Sequence, residues 1–405
     1  MGKKIIYISY DFGFLSIHAH EIIGNMIKQG YQVSLFIPSD VHLHLNLHDD
    51  CKVISIPVVF NSRLIRTINY SIFLIFFLTV EILKTNRPAL IYVRQNYMGL
   101  PTAILSYLLN IPYFAEINGL VVTTAGSVYG KFGQYVKAWL ESLIIRLVDI
   151  VIVPSNTIKM RITDRYKVSF KKIYTVPNGF NELMFYPKNT RTSLGRFLKI
   201  KENDFIVGFI GSMGEWQGIE ILKKAICQVL SRDASIYFLI VGDYTTDSNM
   251  KKMRSGDGMG AKDFADFVKA NSLDGNVRYH RFVSYESSSD FMNCCDILVA
   301  PYTASYREYG GGSPMKLYAY LGCGKPVIIS DLGELTDSIA LKKNDAAYLI
   351  SPDDSSALAN AILHFRENRK ACKYYGEKGI NFALKERRWS HSCSKILSIC
   401  SRYFF

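Results

Sequence analysis

Cysteine is scarce in this chain, and its placement excludes more than its number does. The eight cysteines of 405 residues are Cys51, Cys227, Cys294, Cys295, Cys323, Cys372, Cys393 and Cys400. None forms a C-x-x-C pair, and Cys294 and Cys295 are adjacent. That spacing argues against a disulfide framework or a zinc site, and for a reducing, cytoplasmic compartment. G-x-G-x-x-G is missing, which weakens a dinucleotide reading. No short-period repeat and no low-complexity tract appear. The opening Met1-Gly-Lys-Lys-Ile-Ile-Tyr-Ile-Ser has too short an apolar run for a signal peptide and reads as a first strand. The most apolar run, Ser71 to Val80, falls short of the ~20 residues that span a bilayer. Arg63 and Arg66 precede it; Lys84 and Arg87 follow. It reads either as a buried crossover helix or as a helix dipping into a membrane face between basic flanks. Acidic residues are the minority, 35 against 48 Lys and Arg, a formal charge of +13. Up to Phe185 there are 18 cations against 11 carboxylates, so the excess is spread along the chain. This is no nucleic-acid arm; it suits a basic protein facing phosphorylated substrates or anionic lipid.

What is present is a globular composition, 49% hydrophobic and 20% charged, of a length that suggests two or three domains. Apolar, β-branched runs at Ile5–Ser9, Gln32–Phe36, Val53–Ile56, Leu90–Val93, Tyr113–Ile117, Ile150–Val153 and Ile173–Val176 predict strands buried on both faces. Helical runs such as His18–Gln29, Gly99–Leu109 and Gln134–Val148 lie between them. The scheme repeats with strands at Phe205–Ile210, Ile236–Val241, Val277–Phe282, Ile297–Pro301 and Val327–Ser330. Helices are expected there at Ile219–Leu230, Phe264–Ala270, Ser287–Asn293 and Met315–Leu321. A polar connector, about Glu182 to Asn203, separates the halves, and Ser356 to Phe405 reads as helical. The order predicts an α/β protein of two Rossmann-like lobes with parallel sheets, facing an interdomain cleft, where ligands sit outside the carboxyl ends of the strands.

The richest stretch is Gly310 to Asp331, GGGSPMKLYAYLGCGKPVIISD. Glycines and Ser313-Pro314 open a helix, whose first turn has N–H groups without partners and the positive end of the helix dipole. Such a terminus receives phosphates. Lys316, a cation in that first turn, gains nothing from the dipole but would face a bound anion. The plain alternative is a tight αβ turn with a solvated lysine.

The segment resembles the donor-site signature of the retaining glycosyltransferases of family 4, which have the GT-B fold and in many members read S-P-x-K-L-x-E-Y-x-A-x-G-K-P-V. Ser313, Pro314, Lys316, Leu317, Tyr320, Gly324, Lys325, Pro326 and Val327 match in place. The glutamate that holds the ribose hydroxyls in that family is Ala319 here, and the earlier acidic position of the motif falls on Gly311. A second match is Gly208 to Glu220. There the arginine and lysine that bind the donor diphosphate in many members are replaced by Ser212 and Gln217, as in a W-Q-G subset. Both can still donate hydrogen bonds to phosphate. Lys316, or Arg307 in the loop before the signature, is a candidate to compensate for the missing cations; Glu308 reads first as a solvated loop glutamate and second as a stand-in for the missing carboxylate. The resemblance further implies that the backbone at Val283 meets the nucleobase. It implies that Gly13, after the first strand, belongs to a loop over donor and acceptor, although an ordinary βα turn reads equally well. Ala115-Glu116-Ile117-Asn118-Gly119 matches an E-x-N-G variant near the transferred sugar. Glu116 and Asn118 alternate with Ile117, so both can point one way and bind sugar hydroxyls; the alternative is a capped strand end with an Asn-Gly turn. His18 falls on the acceptor side, with packed or solvated histidines as the other reading. His18 and His20 do not share a helical face, and His42, His44 and His48 complete no ligand spacing. Pro177-Asn178-Gly179 matches a structural turn that closes the first lobe, and Arg388-Trp389-Ser390 a pre-terminal tryptophan.

The expectation is thus an N-terminal acceptor domain over 1–185, a nucleotide-sugar donor domain over 186–385 and a C-terminal helix, 386–405, crossing back to the first lobe. The resemblance implies a retaining, hexosyltransferase-like enzyme. It would move a sugar from a UDP- or GDP-sugar to a glycan or lipid-linked acceptor in surface polysaccharide synthesis, with no metal or other cofactor and no nucleic-acid partner. It would be cytoplasmic, with peripheral contact on the inner face of the plasma membrane left open. Catalytic roles fall to Asn118, Glu116 and Lys316; donor binding falls to Gly13, Ser212, Gln217, Val283, Ser313, Met315, Lys316, Leu317 and Ala319. The alternative is a degenerate member that binds a partner or ligand without efficient catalysis.

Overall fold

The computed structural model describes residues 4–11, 15–41, 50–58, 63–84, 87–94, 97–119, 130–198, 200–201, 203–242, 259–281, 283–306 and 312–404. Gly13, His42, His44, His48, Arg307, Glu308 and Gly311 lie outside them. The chain divides into two compact units, Met1–Asn178 with Trp389–Phe405, and Gly179–Arg388.

The first unit runs β1 (Lys4–Ser9), α1 (Ile17–Lys28), β2 (Gln32–Pro38), β3 (Cys51–Ile56), α2 (Arg63–Lys84), β4 (Leu90–Arg94), α3 (Leu100–Leu108), β5 (Tyr113–Glu116), α4 (Gly130–Leu147), β6 (Ile150–Val153), α5 (Asn156–Tyr166) and β7 (Ile173–Thr175). The second runs α6 (Arg191–Leu198), β8 (Phe205–Ile210), α7 (Ile219–Leu230), β9 (Ile236–Val241), α8 (Met259–Ala270), β10 (Val277–His280), α9 (Tyr285–Cys294), β11 (Ile297–Ala300), α10 (Met315–Gly322), β12 (Val327–Ser330), α11 (Ser338–Lys343), β13 (Tyr348–Ile350), α12 (Ser355–Glu367) and α13 (Arg369–Glu386). The last helix, α14 (Trp389–Phe404), belongs to the first unit and packs on α1.

Each unit holds one sheet, in the orders β3-β2-β1-β4-β5-β6-β7 and β10-β9-β8-β11-β12-β13, with every recorded pairing parallel. The central strands are buried end to end, as sheets covered by helices on both faces require. In both sheets the direction of winding reverses beside the first strand, between β1 and β4 and between β8 and β11. Ligands of open α/β sheets gather outside the carboxyl ends at such a point.

Local signals set the helix starts. Ser16 caps α1 through the Ala19 N–H at 3.2 Å, and Ser155 caps α5 through that of Ile158 at 3.3 Å. α6, α11 and β13 were not expected from the sequence, and β3, expected to be buried on both faces, is an edge strand that exposes Lys52, Val53 and Ser55. The stretch expected as a polar connector carries α6, because Arg191 pairs with Asp296 at 2.9 Å and Leu198 is buried. β13, at three residues, is too short to show a periodicity.

Candidate functional site

The carboxyl ends of β8 and β11 and the start of α10 converge in the second unit. Gly218 begins α7 in the left-handed region at φ +77°, and a Cβ there would lie 1.7 Å from the Pro301 carbonyl oxygen. Only glycine allows this approach. It brings the Glu215–Gln217 turn against the loop after β11, where the Thr303 N–H donates to the Trp216 carbonyl at 3.1 Å. Gln217 is thereby set beside Lys316.

Lys316 Nζ donates to Gln217 Oε1, and Gln217 Nε2 donates to Ser212 Oγ at 3.2 Å. The ammonium also lies 4.3 Å from the Phe209 ring centre and 4.7 Å from that of Tyr302. Two aromatic faces and one neutral amide replace the water around this cation. Burial pushes the Lys316 ammonium down to about 7. Lys316, Gln217 and Ser212 come together here. The α10 terminus has Pro314 as its cap residue and no side-chain cap, which leaves early N–H groups to serve a ligand.

The turn before Lys316 is built from the core outward. Ser313 is buried at φ +60°, with Oγ 3.1 Å from the Tyr318 hydroxyl. Tyr318 donates to Asp337 at 3.1 Å, and Arg387 grips the same carboxylate at 2.8 and 3.1 Å. Tyr320 ties α10 to β8, donating to the Ile210 carbonyl at 2.7 Å and accepting from its N–H at 2.8 Å. Leu317 and Ala319 are buried in the surrounding apolar cluster, Met315 is half-buried, and Val283 packs against the cluster's edge. Tyr302 and Phe209, which the sequence reading passed over, also flank the ammonium. Their signal was an aromatic at the end of each strand flanking the switch point.

A second constellation sits in the first unit, at the carboxyl ends of β1, β4 and β5. Glu116 ends β5 and is 2% exposed. Its Oε2 accepts from the Tyr92 hydroxyl at 2.6 Å, its Oε1 accepts from Asn118 Nδ2, and His18 Nδ1 lies 3.4 Å from Oε1. Both carboxylate oxygens are therefore engaged within the protein. Glu116 thereby orients its neighbours while still lining the cavity beside Trp389. Asn118 uses its N–H on Glu116, which leaves its carbonyl oxygen for a ligand hydroxyl.

Burial lowers the His18 pKa, with Glu116 opposing. The His18 ring stands edge-on to Trp389, centres 4.9 Å apart. A small cavity lined by His18, Glu116, Asn118, Asn178 and Trp389 lies between them. At its side Arg94, closing β4, holds Asp11 through contacts of 3.0 and 2.9 Å, and Asp11 accepts from the Ser16 N–H at 3.1 Å. Burial alone would lower the Arg94 pKa; Asp11 and Glu116 outweigh it and raise it. Arg94 and Tyr92 were missed from sequence. A cation directly after the buried run Leu90–Val93 was the available clue.

Two family models match the chain: the glycosyltransferase family 4 model over residues 15–182 and the glycosyl transferases group 1 model over residues 204–368. An uncharacterized glycosyltransferase of Methanocaldococcus jannaschii, MJ1069, is 22% identical, covering 99% of this chain and 98% of its own. Among solved structures, sucrose-phosphate synthase from Thermosynechococcus elongatus superposes with a TM-score of 0.73 at 18% identity, covering 99% of both chains. Anabaena HepE in complex with UDP and glucose superposes with a TM-score of 0.72 at 16% identity, covering 98% of this chain and 99% of that one. The order of both sheets, the Ser313–Leu317 turn and the two matched models agree: the chain belongs to the family 4, group 1 glycosyltransferases of GT-B fold.

Proposed function

We propose that the chain transfers a hexose-like sugar from a UDP- or GDP-sugar to a hydroxyl of a glycan or lipid-linked acceptor, with retention of anomeric configuration, in the synthesis of a surface polysaccharide. The observation that carries this is Lys316, a cation in the first turn of α10 held by aromatic faces and an amide and by no carboxylate among the described residues. Charge develops on the departing diphosphate as the glycosidic bond breaks. Fixed N–H dipoles and a poised ammonium stabilise it without reorganising. The solved HepE complex with UDP and glucose supports a nucleotide-sugar donor. By the family resemblance the step needs no bound metal.

In this reading Ser212, Gln217, Ser313, Lys316 and the first-turn N–H groups bind the donor diphosphate. Val283, Met315, Leu317 and Ala319 line the rest of the donor side, and Gly13 belongs to the loop over the substrates. Asn118 and His18 face sugar or acceptor hydroxyls, and Glu116 is a positioning residue for both. Replacing Glu116 by glutamine keeps the shape but puts an N–H where Asn118 or Tyr92 donates. The expected result is a roughly 10–100-fold lower kcat, with donor affinity unchanged. Steady-state kinetics with the donor varied checks it; a loss confined to donor KM counts against the role.

A second reading has its own observation. Ala319 is buried among apolar side chains where many relatives carry a carboxylate, and Ser212 and Gln217 replace two cations. A degenerate member that binds without efficient catalysis would look the same. Calorimetric titration with UDP- and GDP-sugars tests the proposal. Binding followed by product formation supports transfer, binding without turnover supports the second reading, and no binding by any of them removes the transfer reading.

A further inference from the structure

We propose that the helical layer formed by α2, α3 and α4 in the N-terminal unit, continued by the basic α5, docks on an anionic phospholipid bilayer. An ordinary surface helix turns charge outward and apolar residues inward. α2 departs from this. Thr67, Tyr70, Ser71, Leu74, Leu78 and Glu81 are buried. The opposite stripe, at helical spacing, is Ile68, Ile72 and Phe76, the last two 66% and 62% exposed. α2 packs on α3, and α3 on α4. α3 has no charged residue and exposes Tyr107 and Leu108; α4 exposes Trp139. Tyrosine and tryptophan favour the level where headgroups meet acyl chains.

The charges argue for the occupant. From Arg63 to Leu109 the sequence holds one carboxylate, Glu81, and it is buried between Lys4 at 2.5 Å and Lys52 at 2.7 Å. Among the described residues α2 and α3 thus present no carboxylate of their own to solvent; Asp40, which reaches α2, is paired with Arg66, and Lys84 stands exposed at the end of α2. α4 joins α5 through Arg146, which donates to the Tyr166 carbonyl at 3.0 Å. From Asn156 to Lys172 there are six cations, Lys159, Arg161, Arg165, Lys167, Lys171 and Lys172, against the single carboxylate Asp164. Met160 and Phe170 are exposed among them. An apolar field bordered by cations fits an acyl region beneath anionic headgroups. A second copy of this chain carries the same net charge of +13, so its overall field opposes approach to that basic border.

This inference does not rest on the transferase reading. The full chain is floated with phosphatidylcholine vesicles with and without phosphatidylglycerol. We expect partition at least about tenfold stronger onto the anionic vesicles, weakening with salt. Ile72→Ser with Phe76→Ser and Trp139→Ser should remove roughly tenfold or more of it. Arg165→Glu with Lys171→Glu should abolish the preference for anionic lipid. Wild-type protein that stays in the aqueous fraction overturns the proposal, as does partition unchanged in the charge-reversed pair. Dimers that the serine variant turns into monomers, without vesicle binding, would assign the face to a second copy instead. Should the serine variant not fold, the charge-reversed pair decides alone. A Lys316→Met protein that loses nucleotide but keeps vesicle binding separates this surface from the donor site.

Discussion

Lys316→Met lowers kcat for sugar transfer by roughly 10²–10³-fold, the effect of deleting one preorganised group that meets charge developing on a leaving group. The larger signature is in pH. The buried ammonium titrates at about 7 in the free protein, and a diphosphate beside it favours the charged form and raises that value. Below about pH 7 the lysine is already charged and affinity for a nucleoside diphosphate is flat. Above it each binding event must take up a proton, so affinity falls by up to about tenfold per pH unit until the raised pKa of the complex is reached. Stability of the free protein runs the other way. Folding depresses this lysine from its ordinary value of 10.5, the unfolded chain binds the extra proton between the two values, and stability rises with pH across that window. Calorimetry in two buffers of different ionisation enthalpy reads the proton uptake directly. Lys316→Met gives a weak and pH-independent profile. A wild-type profile that is flat through neutrality, with no proton uptake, would mean either that the free ammonium is already charged there or that no anion meets it, and an affinity unchanged in Lys316→Met would select the second.

The alternation of β-branched runs and helices made both sheets legible, because strands buried on both faces leave a continuous apolar signature. The Ser313–Leu317 turn was legible because its loop chemistry is local. Long-range contacts were not. The resemblance put Gln217 and Lys316 in one donor site, but their direct contact across 99 residues, made because a glycine at 218 lets one loop approach another, has no local signal. The buried hydroxyl of Tyr92 on Glu116 is of the same kind: each residue reads as an ordinary strand position, and only the register of β4 beside β5 puts them together. α2 shows the converse. Its composition left core and membrane readings open, and the structure shows one face buried and the other apolar and exposed.

Ala319→Glu tightens nucleotide binding by roughly 10–100-fold, the range of one charge-assisted hydrogen bond to a ribose hydroxyl, while lowering the stability of the free protein. Ala319 is buried among apolar side chains, so an ionised carboxyl there loses hydration unless something pairs with it. Lys316 is three residues earlier on the same helix, within reach of an i,i+3 contact. A glutamate at 319 therefore competes with Gln217 for the ammonium and raises its pKa above about 7. The pH dependence of nucleotide affinity expected for the wild type should then move upward and flatten near neutrality. The two effects are separable. Tighter binding with turnover at or above the wild-type rate shows that the site lacks a ribose carboxylate and is otherwise competent. Tighter binding without turnover favours a member that has kept recognition and lost catalysis. A variant whose affinity and pH profile both match the wild type would mean that position 319 faces neither the ligand nor Lys316, and the donor-side assignment of this turn would have to be withdrawn.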